Sequence, residues 1–463
     1  MLAFAVAFSA GARIEAASPR ETPTVKLIRK IQPAVLPIFA NVSEGRISSG
    51  TATLIHPFGF LLSNDHIMQG TSGVAIVDGK RVPYRVIGRL PGKDIALLQL
   101  KADRLMPLVP IGRSDDIMTG EPIFVAGNPG GRGIVFSQGI VSSPGIPMNV
   151  VNVLVMTYFQ SGRDEFIQFD AASNRGNSGG PLINAEGRQI GIVSGKNYEE
   201  ENVNFAIPMD RVRSLFYHLL PVEELSDLWT GIEIDTMAAE AIVKSVASDS
   251  PAAKVGVKPG DIISSLDGNT VRHGVDWIIS LYNQKADKTI SLALKGNDKK
   301  HRKIELTPTR YPLTPFVAEK GKKPGLNYQL YHGKFKVLPD FKKLKAVTRG
   351  HADDLKTTEL SNDGQDFFAL TFDGYLKFPT DGVYRLTLGS DDGSKLYLDG
   401  KELINNDDNH PMQRLSRIVR VKAGLHPLRV EFFDYTGDAE LELEIDGPKL
   451  EKKLVPAGWY FRD

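Results

Sequence analysis

Apolar residues in this chain come in runs of three to eight, cut by glycine, proline, asparagine and serine. Runs that short cannot build long helices. Between Ile31 and about Ile192 they fall at residues 51–55, 60–62, 95–100, 123–126, 134–141, 151–156 and 166–169, with the turn signal Pro57-Phe58-Gly59 between the first two. Many short strands with frequent turn signals read as an all-β barrel or sandwich. The 44 glycines and 28 prolines of the 463 residues amount to about 16%, against a usual ~12%, and supply the turns.

The length suits about three domains. Helical spacing follows the β segment: Pro208-Met209-Asp210 leads into Val212, Leu215, Phe216 and Leu219, which predicts a helix ending near Pro221. A second unit, 223–310, mixes strands at 241–246, 262–266, 290–294 and 303–306 with helix signals. Ser250-Pro251 is an N-cap followed by proline at the first helical position. Val275, Ile278, Ile279 and Tyr282 line one face of a further helix. Residues 311–325 hold Pro312, Pro315, Pro324 and a charged, glycine-containing run, the composition of a linker. From 326 to 463 the chain is strand-like again, with Asp-Gly turn signals at Asp373-Gly374, Asp381-Gly382, Asp392-Gly393 and Asp399-Gly400. The units are therefore 24–222, 223–310 and 326–463.

Residues 2–12, LAFAVAFSAGA, are too short to span a bilayer and match the apolar region of a signal segment, with Ala10-Gly11-Ala12 as cleavage site. A basic flank is missing. The expectation is a signal segment within 1–23 and an exported protein, periplasmic or extracellular. Lysine and arginine number 56 against 55 acidic residues, a net charge of +1. That balance argues against a nucleic-acid binder and an acidic disordered tail. Without cysteine there is no disulfide, thiolate metal site or cysteine nucleophile.

Chemistry concentrates in Gly176-Asn177-Ser178-Gly179-Gly180-Pro181. A serine is a poor nucleophile until a base takes its proton, and the oxyanion it creates needs backbone N–H donors. Glycines beside the serine permit the tight turn that aims such donors. His66 follows the apolar run 60–62 in Ser63-Asn64-Asp65-His66, and Asp94 precedes the run 95–100. An acid there can orient the base and stabilise its cation. A glycine-rich turn, a loop histidine and a turn aspartate are the bland readings; the three together, in this order, are not an ordinary coincidence.

These contexts resemble the chymotrypsin-fold serine proteases of the HtrA/Deg family, through SGTATLI…FLLSNDHI, GKDIALLQL, AGNPGG…SQGIVSS, DAASNRGNSGGPLIN and GRQIGIVSG…VNFAIP. The resemblance implies a double β-barrel with Ser178 as nucleophile, His66 as general base and then acid, and Asp94 orienting His66. It also implies an oxyanion hole from the N–H groups of Gly176 and Ser178 with Asn177 between. No cofactor is required, substrates are polypeptides, and homotrimers are common in the family. Two positions depart from its pattern. Ser173 stands where an apolar residue is usual, and Arg175 where proline is usual. Ala172 and Ser173 put no acid at the specificity pocket, so cleavage after small or medium aliphatic residues is expected.

The second unit resembles a PDZ domain, an α+β fold, through Trp229-Thr230-Gly231-Ile232-Glu233-Ile234 and the run 250–263. The resemblance implies that Thr230, Gly231 and Ile232 receive a peptide C-terminus. The third unit resembles the β-sandwich module of anthrax protective antigen, through residues 389–400 and 422–433. Some such modules bind sugar through calcium held by adjacent aspartates, here Asp391 and Asp392; the same side chains also close turns, and the turn role is favoured. A glycan or surface ligand at this module implies a targeting role. The competing functional readings are a carbohydrate-binding or adhesion protein, or a chaperone, that uses the protease fold as a scaffold.

Overall fold

The computed structural model describes residues 20–41, 47–68, 70–147, 165–196, 201–319, 321–357, 360, 366–437 and 439–463. The signal segment and the strand expected at 151–156 fall outside them. Strands β1 (Val35–Asn41), β2 (Ile47–His56), β3 (Phe60–Ser63), β4 (Ser72–Val77), β5 (Lys80–Leu90) and β6 (Ile95–Leu100) close a barrel in the order β1-β2-β3-β6-β5-β4. A second barrel runs β10-β11-β12-β9-β8-β7, from β7 (Pro122–Gly127), β8 (Val135–Pro147), β9 (Glu165–Phe169), β10 (Pro181–Asn184), β11 (Gln189–Lys196) and β12 (Asn204–Pro208).

The run-like pattern of β3 and β6 has a physical cause. Leu61, Ala96 and Leu98 fill the first barrel. Phe60, Leu62, Ile95 and Leu97 point the other way, into a core shared with the following helices and the second unit. Both faces are covered, so alternation with polar residues is lost. The β4–β5 hairpin turns on Asp78 and Gly79, both at positive φ (48° and 76°), as a two-residue primed turn requires.

The helix expected from Met209 to Pro221 forms as two pieces, Met209–Ser214 and Phe216–Leu219, broken at Leu215. The break still buries Met209, Val212, Phe216 and Leu219 in one core. In the second unit Ile232–Ile234 pairs with Val243–Val246, and Asn269–Thr270, Ile262–Leu266, Ile290–Lys295 and His301–Leu306 form a four-stranded sheet. Ser250 caps Pro251–Lys254, its hydroxyl accepting from Ala253 N at 3.1 Å. The helix Gly274–Leu281 was expected to bury one face, but all eight of its residues are buried. The first barrel supplies the second cover: Tyr282, at its C-cap, meets Phe60 edge-on at 5.3 Å. Burial also pushes His56 and His273 down to about 4, so both stay neutral at physiological pH.

The C-terminal unit packs one sheet, containing Phe368–Phe378, Gly424–Asp434 and Ser394–Leu398, over a four-stranded sheet containing Gly382–Asp391 and Glu440–Gly447. Three of the four expected Asp-Gly turns sit between or before strands. Asp373-Gly374 does not turn: it lies inside Phe368–Phe378. Its glycine serves close approach, since a Cβ there would meet the Phe461 carbonyl at 2.4 Å.

Residues 311–325 are not a free tether either. Thr314 N donates to Arg420 O (2.8 Å) and Val317 N to Leu425 O (2.8 Å). Arg420 reaches Asp227 Oδ1 at 3.0 Å, and Tyr311 N donates to the same oxygen at 3.3 Å. The segment finds unpaired sheet edge beside it, and edge pairing satisfies backbone groups that a tether leaves to water.

Candidate active site

His66 rides on a short 3₁₀ turn, Asp65–Ile67, directly after β3. Asp94 follows another, Pro91–Lys93, and enters β6 in the left-handed region at φ 52°. Because β3 pairs with β6, both turns emerge from the same end of the barrel. His66 Nδ1 lies 2.9 Å from Asp94 Oδ1 and 3.0 Å from Oδ2. The His66 backbone N–H donates to Oδ1 as well, at 2.9 Å. With Nδ1 donating to the carboxylate, Nε2 keeps its lone pair.

Asp94 is fully buried. Its third donor is Ser194 Oγ, 2.7 Å from Oδ2. Sequence reasoning assigned nothing to Ser194, which comes from β11 of the other barrel. The only available signal was its place in the stretch GRQIGIVSG. A buried carboxylate needs such donors to remain charged.

Ser178 sits on the loop between β9 and β10. Its carbonyl accepts from Thr51 N (2.9 Å), and Thr51 Oγ1 donates to Gly176 O (2.7 Å), so β2 of the first barrel braces the loop of the second. Gly176 has φ 104°, and a Cβ there would meet Asn128 O at 2.2 Å. The Arg175 carbonyl accepts from Gly130 N (3.2 Å), so in a trans peptide the Gly176 N–H points the opposite way. The Asn177 carbonyl accepts from Gly180 N (2.9 Å), so the Ser178 N–H points away from that contact. Neither N–H is engaged by a hydrogen bond among the described residues. The Asn177 N–H, by contrast, is committed to Asn174 O at 3.0 Å, so Asn177 acts as a spacer. The Ser178 Oγ has a long contact, 3.4 Å, to Ser194 O. Beside the loop Ala172 is exposed, its carbonyl accepting from Ser137 Oγ (2.8 Å), and Ser173 is half-buried.

In the second unit Gly231 holds φ 78°, and a Cβ there would overlap Ser250. Thr230 is buried. The Ile232 N–H already donates to Thr230 Oγ1 (3.1 Å), and Ile234 N–H to Tyr217 Oη of the preceding helix (3.2 Å). The edge expected to take a peptide is thus partly engaged by the chain itself.

In the sandwich Asp392 accepts from His410 N (3.1 Å) and Tyr435 N (2.8 Å), and Asp391 from Met412 N (3.1 Å). These bonds reach 18 to 43 residues along the chain, so the two carboxylates tie the Asp391-Asp392 turn to neighbouring loops and do not close it locally. Asp434 is buried, and burial, with the charges of Asp392, Asp366 and Asp391, pushes it up to about 7 against the opposing pull of the Phe367 backbone N–H. Among the described residues no group of three or more His, Asp or Glu side chains is arranged to hold a metal ion.

Three family models match the chain: a trypsin-like peptidase domain over residues 50–192, a PDZ domain over 224–306 and a PA14 domain over 322–459. A probable periplasmic serine endoprotease, DegP-like, of Marinomonas sp. is 32% identical over 291 residues, 59% of this chain and 59% of that protein. The serine protease Do-like HtrA of Bacillus subtilis is 30% identical over 276 residues, 53% of this chain and 60% of that protein. The chain thus spans about three fifths of the length of these two relatives. The serine endoprotease structure from Yersinia pestis covers 63% of this chain and 98% of its own at 24% identity, with a TM-score of 0.37. Domain by domain, the chain matches the trypsin-like peptidase, PDZ and PA14 family models, in the order of an HtrA-type protease followed by a C-terminal module.

Proposed function

We propose that the protein is an exported serine endopeptidase that cleaves misfolded or exposed polypeptides with Ser178, His66 and Asp94. The observation that carries this is the buried Asp94 carboxylate holding His66 Nδ1 at 2.9 Å, which leaves Nε2 as the basic nitrogen. Gly176 and Ser178 N–H groups free of internal bonds suit an oxyanion hole. Relatives named as probable periplasmic serine endoproteases support this chemistry and export. No described helix is long and apolar enough to cross a membrane. Reaction with an organophosphonate tests the assignment: wild type should label at Ser178, and His66→Ala should not. A wild type that neither cleaves casein nor labels would leave the domain a scaffold, as an adhesion protein or chaperone requires, and undiminished cleavage by a Ser178→Ala variant would remove Ser178 as nucleophile.

Specificity should follow the absence of acid at Ala172 and Ser173. A peptide library is expected to show small or medium aliphatic residues before the scissile bond. Dominant cleavage after arginine or lysine would contradict that reading, since a buried acid is what pairs with such side chains.

The PDZ domain offers a site for peptide C-termini at Thr230, Gly231 and Ile232, where an arriving carboxylate displaces Thr230 Oγ1 from the Ile232 N–H, and the PA14 module serves targeting rather than catalysis. Every hydrogen bond named around the triad comes from the two barrels, so deleting residues 326–463 is expected to change casein hydrolysis by no more than a few-fold. The deletion also uncovers Leu215 and His218, which line a cleft against Leu403 and Arg417 of the module, and should lower the melting temperature. Outright loss of casein activity in a folded truncation would make the module part of the catalytic unit. With Asp391 and Asp392 as turn residues, EDTA should leave both melting temperature and surface retention unchanged; a loss of either would instead mark them as calcium ligands.

A further inference from the structure

Immediately before His66 stands a second carboxylate, Asp65, buried on the same short turn. A charge so placed, beside Asp94 and out of water, would unbalance the site. Arg89 answers it with a two-pronged contact: Nε lies 2.5 Å from Asp65 Oδ1 and Nη2 3.0 Å from Oδ2. Burial and the Asp94 charge push the Asp65 carboxyl up, and the Arg89 fork pulls it back. Arg89 belongs to β5, where it pairs in register with Ala96 of β6. Five residues later the same chain delivers Asp94. The pair therefore clamps the turn carrying His66 to the strand that leads to Asp94.

Resting on the serine-protease reading above, we propose that Asp65 and Arg89 form a positioning and charge-balancing pair for the His66–Asp94 couple, so that His66 experiences one net negative charge and not two. The charged groups that act on Asp65 are Arg89, Asp94 and His66 itself. Lys93, on the turn before Asp94, acts on Asp408 of the C-terminal module. Neither Asp65 nor Arg89 touches substrate-facing atoms of Ser178; they act through His66.

The test uses the full chain and the pH dependence of kcat/KM on a peptide substrate, together with the rate of organophosphonate labelling. Asp65→Asn keeps the shape and one acceptor for Arg89 but removes the negative charge. An unbalanced guanidinium then disfavours the imidazolium, and the acidic limb of both profiles should move to lower pH by about 0.5–1 unit. Asp65→Asn combined with Arg89→Gln removes both charges, and the limb should return to within about 0.2 unit of wild type. A purely structural pair would behave differently: the double variant would be at least as impaired as the single, with both limbs unmoved. An unshifted limb in Asp65→Asn, or no return in the double variant, overturns the proposal. A wild type that neither cleaves casein nor labels overturns the serine-protease reading, and this role with it.

Discussion

Ser178→Ala should abolish casein cleavage while leaving the fold untouched, with turnover lower by about 10⁶. The expectation of an intact fold comes from what the hydroxyl touches. Among the described residues its one hydrogen-bond contact is the 3.4 Å approach to Ser194 O, beyond the range of a good O–H···O bond. The bonds that shape the loop are made by the backbone: Ser178 O to Thr51 N, Gly179 N to Val193 O and Gly180 N to Asn177 O. Alanine preserves all three. The residual rate should be that of the oxyanion donors and binding alone, about 10³–10⁴ over water. Active-site titration with an organophosphonate excludes contaminating protease, and near-ultraviolet circular dichroism reports the packing. A variant within tenfold of wild type, with wild-type dichroism, would remove Ser178 from the role of nucleophile.

How far the sequence announces this arrangement differs from element to element. The barrels were legible because turn residues bracket nearly every strand. The outward half of β3 and β6 was not, because its cover comes from residues more than a hundred positions away. His66, Asp94 and Ser178 stood out because each sits in a short context whose residue types the chemistry demands. Ser194 has no such context; only the approach of β11 to the first barrel brings its hydroxyl to Asp94. Asp65 and Arg89 are ordinary residues 24 positions apart, and nothing but the register of β5 joins them. Residues 311–325 misled for a related reason. Proline, glycine and lysine compose a free tether and a segment laid along a sheet edge equally well, and the distinction lies in Arg420 and Leu425, the edge residues that Thr314 and Val317 meet. Asp373-Gly374 carries a turn signature, but the close passage of Phe461 fixes it as strand.

Asp94→Asn should cost about 10⁴ in kcat at neutral pH without loss of stability. The size follows from the donors that surround the carboxylate. Oδ1 receives the His66 backbone N–H, which can only donate. The amide NH₂ of an asparagine therefore cannot occupy that place and must take the position of Oδ2. There it lies beside Ser194 Oγ, which can rotate to accept, and 3.0 Å from His66 Nδ1. Its second hydrogen then points at Nδ1 and competes with the Nδ1–H···Oδ1 bond of 2.9 Å, which favours Nδ1 as acceptor. The imidazole proton moves to Nε2, and the nitrogen that should deprotonate Ser178 no longer has a lone pair to offer. The backbone does not resist the change, because asparagine tolerates the left-handed conformation that Asp94 adopts at φ 52°. Ser194→Ala is the control: it removes one acceptor bond from Asp94 but leaves both oxygens able to hold Nδ1–H, so its loss should be far smaller. Histidine NMR would report the tautomer directly, with Nε2 protonated in the asparagine variant and Nδ1 protonated in wild type. A loss of less than tenfold in Asp94→Asn, or an unchanged tautomer alongside full loss, would mean that Asp94 acts by its charge and not by fixing the proton on Nδ1.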